Sequence, residues 1–174
     1  MRTLATVLTL LLAAAPAVAK SNETLTVHLK NSAGEDAGTA KFKQLKDGRL
    51  EIKLSLKNIY FGEHAVHIHE NPVCDAPDFH GAGGHFNPAG KQHGYDNPMG
   101  HHNGDLPGNI MIDENHMGEA TFKVKDLSLD PSAPDSIVAH GGTSIVVHLH
   151  ADDMKTDPSG NSGNRIACGV IREP

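Results

Sequence analysis

Apolar and polar residues alternate with a period of two along much of this chain. In the clearest runs an apolar side chain occupies every second position, over residues 24–30, 40–43, 50–57 and 120–125. Successive side chains of a β-strand point to opposite faces, so these runs predict strands with one buried and one solvated face. Asp47-Gly48, between the second and third runs, predicts a hairpin turn.

Four further apolar segments have the length and composition of strands: residues 65–70, 109–113, 143–148 and 165–171. The chain shows no convincing amphipathic helix and no internal repeat. We therefore expect an all-β fold of about eight antiparallel strands, arranged as a sandwich or barrel.

Two segments interrupt this pattern, residues 71–106 and 151–164, and both are rich in glycine, proline and aspartate. Structureless loops of this length are uncommon in compact domains and are usually functional. The alternative is a pair of flexible surface loops. Both segments adjoin histidine-bearing strands, so we expect two long functional loops.

The N-terminus has the pattern of an export signal. Arg2 precedes an apolar run over residues 4–15, and Ala17-Val18-Ala19 supplies a small-x-small cleavage pattern. We expect a signal peptide at 1–19, removed in the periplasm, and a single domain at 20–174. The alternative is an uncleaved N-terminal anchor; no other long apolar run predicts stable membrane association.

Charge and cysteine content narrow the function further. The formal charge is −6, and loss of Arg2 with the signal peptide makes it −7, which disfavours nucleic acid as a partner. The two cysteines, Cys74 and Cys168, are 94 positions apart. In an oxidising compartment a disulfide is the default for such a pair, with two separate thiols as the alternative. The bridge would contribute about 4–5 kcal/mol by the chain-entropy model.

Thirteen histidines are many for a chain of this length. His67 and His69 share one face of a predicted strand, and His148 ends another. The long loop adds several further candidate ligands: His80, His85, His93, His101, His102 and Asp105. A nitrogen-rich strand site suits copper, and a mixed nitrogen and oxygen loop site suits zinc. Spacing alone does not decide which loop histidines bind, and solvated histidines remain the alternative.

Five blocks of the chain resemble the copper,zinc superoxide dismutases, specifically their bacterial type. In order they are HAVHIHE at 64–70, GHFNP at 84–88, HNGD at 102–105, VH at 147–148 and GNSGNRIACGV at 160–170. The resemblance covers essentially the whole mature chain, and the last block is the most specific. Ala65-Val66 departs from the Gly-Phe that is usual in the family, a packing change that leaves every ligand in place.

The resemblance implies a role for each matching position. The implied copper ligands are His67, His69, His85 and His148, and the implied zinc ligands are His85, His93, His102 and Asp105. His85 would be shared by both metals. Asp152 would be a carboxylate that hydrogen-bonds two metal ligands, His67 and His93. Arg165 would be the active-site arginine. The extra histidines, His80, His101 and His150, are expected to be solvated.

The function implied by the resemblance is the dismutation of superoxide to oxygen and hydrogen peroxide. A redox-cycling copper would be bridged through His85 to a structural zinc, with one of each metal per subunit. Arg165 would steer superoxide, assisted by Lys155 and Lys91. The resemblance also implies a Greek-key fold and a homodimer. The rival interpretations are a metal carrier, a zinc-only structural domain and a copper-only dismutase.

Overall fold

The computed structural model describes residues 24–173, and its regular secondary structure is almost entirely β-strand. The strands are β1 (Thr24–Asn31), β2 (Asp36–Gln44), β3 (Leu50–Lys57), β4 (Gly62–His64), β5 (Val66–His69), β6 (Ile110–Ile112), β7 (Met117–Val124), β8 (Thr143–His148) and β9 (Arg165–Ile171). Two single turns of 3-10 helix, His80–Ala82 and Ala139–Gly141, lie in the connections. The predicted signal peptide lies outside the described residues.

Seven strands form one curled antiparallel sheet in the order β5-β8-β9-β1-β2-β3-β7, and β4 pairs with β6 beside it. Several hydrogen-bonded neighbours are distant in sequence, such as β1 with β9 and β3 with β7, as expected for Greek-key connections. The predicted all-β antiparallel fold is confirmed. The structure adds one strand to the predicted eight, because β4 is only three residues long and too short to show alternation.

The core lies on the concave side of the sheet, where the apolar positions of the alternating strands meet. In β3, Leu50, Ile52, Leu54 and Leu56 are all buried, while the alternating Lys53, Ser55 and Lys57 are exposed. The turn from β2 to β3 is closed by a hydrogen bond from Leu45 N to Arg49 O (2.8 Å), as Asp47-Gly48 predicted. Alternation therefore identified the strands that have one face in water.

The two long connections cover the convex side of β5, β8 and β9. The predicted disulfide is present: Cys74 in the first loop is bonded to Cys168 in β9, with the two Cα atoms 5.6 Å apart. Phe79 and Ala82 pack against Val146 and Cys168 to form a small second core under this loop. Between Thr24 and Glu173 the protein has no helix long and apolar enough to span a bilayer.

Candidate metal centre

The histidines of β5 and β8 point away from the main core. Val66 and Ile68 pack into that core, so the alternating His67 and His69 project from the opposite face of β5. β8 pairs with β5, and its terminal His148 lies on the same side. All three histidines are at most 3% exposed, because the loops cover this face of the sheet.

The first loop returns along β5 and adds its own ligand candidates to that face. Isolated bridges pair His69 with His85 and His67 with Asp105. The loop is held by hydrogen bonds from Ile68 N to Gly104 O and from Gly104 N to Phe86 O, both 2.8 Å. A Cβ atom on Gly104 would lie 2.2 Å from the Ile68 carbonyl oxygen, so only glycine permits this close approach.

One cluster of ring nitrogens forms around the two strands. His69 Nδ1 donates to Gly83 O (3.0 Å), and His148 Nδ1 lies 3.3 Å from Gly163 O. These bonds leave the lone pair of each ring on Nε2, and the two Nε2 atoms face each other at 3.2 Å. Two lone pairs at this distance repel each other unless a cation lies beside them.

His67 and His85 complete this strand cluster. His67 Nε2 donates to Asp152 Oδ2 (2.8 Å), which leaves its Nδ1 without a protein partner. His85 Nε2 is also buried without a partner. Within residues 24–173 the only other such side-chain atom is Ser144 Oγ. The free nitrogens of His67, His69, His85 and His148 all lie within 4.8 Å of one another.

A second cluster, the loop cluster, forms around Asp105 Oδ1. This oxygen lies 2.8 Å from His85 Nδ1, 3.0 Å from His93 Nδ1 and 3.3 Å from His102 Nδ1. The Nδ1 atoms of His102 and His85 are 3.3 Å apart. Tetrahedral zinc, with bonds of about 2.0–2.1 Å, requires ligand atoms about 3.3 Å apart.

By distance alone His67 also belongs with His85, His93 and Asp105. Its Nε2 already donates to Asp152, and its free Nδ1 belongs to the strand cluster. His102, which has an Nδ1 close to both Asp105 and His85, is the better fourth member of the loop cluster.

The two clusters differ in electrostatics. Burial, followed by the electrostatic influence of the nearby His67, lowers the pKa of His85 to about 4. Burial also lowers the pKa values of His69 and His148 well below the usual value. These imidazoles are therefore neutral at pH 7, which is the form that binds a metal.

The loop cluster requires a positive charge. Burial alone would lower the pKa of His93, but hydrogen bonds to Asp105 and Asp152 outweigh it and raise the pKa to about 9. Burial would raise the pKa of Asp105, yet the three surrounding histidines hold it well below its usual range. A proton on His93 supplies the positive charge in the protein alone, and a divalent cation would supply it more fully.

Asp152 lies behind both clusters and joins them. Its carboxylate accepts from His67 Nε2 (2.8 Å) and His93 Nε2 (3.0 Å), and it is 5% exposed. The side chain of Asn109 fixes the backbone of Asp152 through two hydrogen bonds. Its Nδ2 donates to the Asp152 carbonyl oxygen (3.1 Å), and its Oδ1 accepts from the Asp152 backbone amide (2.8 Å). Asn109 was not singled out in the sequence, where an amide at a strand end carries no distinctive signal.

Arg165 is the half-buried residue that begins β9, beside the strand cluster. Its guanidinium donates to Phe79 O (2.6 Å) and Gly83 O (2.5 Å) in the first loop. The carbonyl of Gly83 also accepts from His69 Nδ1, so one backbone oxygen links the arginine to the cluster. Sequence analysis missed this oxygen because a backbone acceptor has no residue signature.

The remaining predicted residues lie outside the clusters. His80, with a side chain 83% exposed, and His150 are at the surface, as are Lys91 and Lys155. His101 is not simply solvated, because its ring stacks on Tyr95 with centroids 3.9 Å apart. None of these residues supplies an atom to either cluster.

The donor sets fit two different metals. The strand cluster offers four imidazole nitrogens, two of them buried without partners, and imidazole is a good copper ligand. The loop cluster offers imidazole nitrogens and a carboxylate at tetrahedral spacing, which suits zinc. His85 has Nε2 in the first set and Nδ1 in the second.

Comparison with known proteins also indicates a protein that binds copper and zinc. Residues 36–171 match the family model "Copper/zinc superoxide dismutase (SODC)". Superoxide dismutase [Cu-Zn] 2 of Aquifex aeolicus is 45% identical over 147 residues, which cover 83% of this chain and 84% of that protein. A crystal structure of a SOD-like protein from Bacillus subtilis is 39% identical, with a TM-score of 0.80, and covers 84% of this chain and 97% of that chain.

A more distant structure, the Cu/Zn superoxide dismutase from Brucella abortus, is 28% identical with a TM-score of 0.70 and covers 86% of this chain and 99% of that one. The chain belongs to the copper/zinc superoxide dismutase family. This membership confirms the predicted family, the predicted oxidoreductase class and the predicted copper and zinc cofactors.

Proposed function

We propose that this protein converts superoxide to oxygen and hydrogen peroxide at a copper held by the strand cluster, with zinc in the loop cluster. The observation that carries the proposal is His85, which offers one buried ring nitrogen to each cluster. Metals held in both clusters would give His85 Nε2 the partner that it lacks in the protein, while Nδ1 would serve the loop cluster. The family to which the chain belongs supports superoxide as the substrate.

In the strand cluster, His67, His69, His85 and His148 hold copper. Copper bound there would supply the one-electron chemistry that the conversion of superoxide requires. The protein contributes fixed ligand orientations, because carbonyls of Gly83 and Gly163 hold the rings of His69 and His148. The buried Nε2 of His85 could bind either copper or a proton, so it would hold a proton for the peroxide product only while it is not bound to copper.

In the loop cluster, His85, His93, His102 and Asp105 hold zinc, which has no redox chemistry. Its role is to fix the loop and to keep His85 oriented. Asp152 supports both sets, because its two oxygens accept from His67 and His93. Such outer hydrogen bonds fix the ring orientation and raise ligand basicity.

Arg165 attracts the anionic substrate. It lines an open cleft of about 650 Å³ together with Asp78, His80 and Asn164. Burial is the largest cause of the low pKa values of His69 and His148. The positive charge of Arg165 is a further cause, because the guanidinium lies near both rings. A guanidinium that lines the cleft raises the local concentration of an anion although the chain is acidic overall.

The setting of this reaction is also part of the proposal. The N-terminal pattern at residues 1–19 directs export to the periplasm, where the Cys74–Cys168 bond forms. We further propose that the protein is a homodimer.

The test is superoxide consumption by the purified protein in three forms: loaded with copper and zinc, loaded with zinc only, and metal-free. The proposal predicts rapid consumption that requires copper. A matched pair of variants locates the reaction, because His69→Ala should abolish it and His28→Ala, at an exposed histidine of β1 outside the cleft of Arg165, should not. A fully loaded protein without copper-dependent consumption would contradict the enzyme and leave a metal carrier as the better interpretation.

A further inference from the structure

The convex face of strands β1, β2, β3 and β7 carries a concentration of lysines. We call this surface the lysine face and define it by the outward residues of these four strands. The central members are Lys41 and Lys43 in β2, Lys53 in β3 and Lys123 in β7, and all four are exposed. No loop covers them, in contrast to the face of β5 and β8.

The sheet register places two of these lysines side by side. Lys41 is directly opposite Lys53, and like charges directly opposite each other destabilise a sheet. In the part of the chain that the structure describes, neither lysine forms an ion pair with an acid. Lys123 differs, because Glu51 lies opposite it and the two are 3.3 Å apart.

The charge of this face is opposite to that of the whole protein. Its outward positions hold six lysines and three acids: Lys30, Lys41, Lys43, Lys53, Lys57, Lys123, Asp36, Glu51 and Glu119. The surplus is three positive charges in a chain with a formal charge of −6. The rest of the molecule is therefore more acidic than the total suggests.

The other outward positions are nearly all small and polar. They are mostly threonine and serine, such as Thr26, Ser55 and Thr121, and the one large apolar residue is Met117 at a corner. Lysine ammonium groups act as point charges, without the planar fork with which arginine grips a single phosphate. A face of this kind suits a broad anionic surface rather than a pocket ligand.

We propose that the lysine face binds reversibly to anionic phospholipid headgroups, with phosphatidylglycerol as the working example. At physiological salt the Debye length is about 8 Å, so the acidic remainder of the protein is largely screened from a membrane that touches this face. The metal centre lies over β5 and β8, at the other end of the sheet order. Binding in this orientation leaves the loops over β5 and β8 in solution.

The test is sedimentation of the copper- and zinc-loaded protein with two kinds of vesicle. One kind contains equal parts of phosphatidylglycerol and phosphatidylcholine, and the other contains phosphatidylcholine only. Binding should require phosphatidylglycerol and should weaken steeply as salt is raised. The double variant Lys41→Gln/Lys53→Gln should bind about thirtyfold more weakly, at about fivefold for each lysine removed.

The matched control is Lys91→Gln/Lys155→Gln, which removes the same charge from the exposed loops and should leave vesicle binding within about twofold. The Lys41→Gln/Lys53→Gln protein should keep its superoxide consumption and melt at the same or a higher temperature, since it loses a like-charge pair. Equal losses in both double variants, equal binding to both vesicles, or no binding at low salt would overturn the proposal. Displacement from vesicles by polyphosphate, with tighter binding to that polymer, would overturn it in favour of a soluble polyanion.

Discussion

The two ends of the main sheet differ in what covers their convex face. In the lysine half, β1-β2-β3-β7, this face is exposed to solvent. Accordingly, β3 alternates between buried leucine or isoleucine and more exposed polar residues. In the metal half, β5-β8-β9, the loops cover this face, and every residue of β5 and of β8 is buried. The same strand geometry therefore produces two different sequence patterns.

The difference shows where this fold can bury polar side chains and where it leaves them in solvent. Histidines that project from the metal half are removed from water, and most of their nitrogens bond to carboxylates, carbonyls or one another. The exceptions are Nδ1 of His67 and Nε2 of His85, which have no partner in the protein. Lysines that project from the lysine half remain solvated. The candidate metal centre accordingly lies outside the main core, between the sheet and its loops.

The change with the largest expected effect is His85→Ala, in the metal half. It removes a nitrogen from both clusters, so copper and zinc should both be retained poorly. Loss of a supporting hydrogen bond alone costs about 10–100-fold in metal affinity, so loss of a shared ligand should lower superoxide consumption at least a hundredfold. Elemental analysis and stopped-flow consumption measure both effects.

The control for that change is His28→Ala, which alters an exposed histidine of β1 outside the cleft of Arg165. It should keep both metals and full activity. Retention of both metals by the His85→Ala protein would show that the two clusters do not depend on this ring.

Gly160→Ala tests the support that Asp152 gives. A Cβ atom here would lie 1.8 Å from Asp152 Oδ1 and 2.7 Å from His93 Nε2, so the hydrogen bond between Asp152 and His93 must break or rearrange. Zinc affinity should fall about tenfold or more, measured by competition with a chelator.

Gly90→Ala is the matched control, because Gly90 has the same positive φ (+61° against +62°) with nothing within 4 Å of the added Cβ. It carries the backbone strain without the collision and should bind zinc normally. An equal loss of zinc affinity in the two variants would assign the effect to strain in the loop and not to Asp152.

Arg165→Ala should slow superoxide consumption about tenfold at low ionic strength while the metal content stays normal. The difference from the unaltered protein should shrink as salt is added, because the role is electrostatic. Arg172→Ala removes an exposed arginine just beyond β9 and should have little effect. A salt-independent loss would indicate a structural role for the guanidinium, which braces Phe79 and Gly83.

The smallest effect is expected in the lysine half. Lys123→Ala removes an exposed ion pair with Glu51, and such pairs contribute about 0–1 kcal/mol. Thermal unfolding should therefore change by at most a few degrees, and activity should not change. A large loss of thermal stability or of activity would mean that the metal half depends on the lysine half, contrary to this account.

The sequence predicted the lysine half well because its strands have one face in water. Alternation identified β1, β2, β3 and β7, whereas β4 escaped because three residues show no period. In the metal half the histidines were visible, but spacing alone could not choose among those of the loop. The choice among them came from the family resemblance. The Gly83 carbonyl and Asn109 were not predictable, because their roles depend on how the loops fold back.

The central claim is that one imidazolate, that of His85, joins the two metal sites. The most direct test is to load both sites with Cu(II), since imidazole nitrogen ligands accept copper as well as zinc, and to record the electron paramagnetic resonance signal. Two Cu(II) ions joined by one imidazolate couple antiferromagnetically, so the account predicts that the signal falls well below that of two independent ions at low temperature. A signal equal to the sum of two isolated ions, in protein shown to hold both, would contradict it.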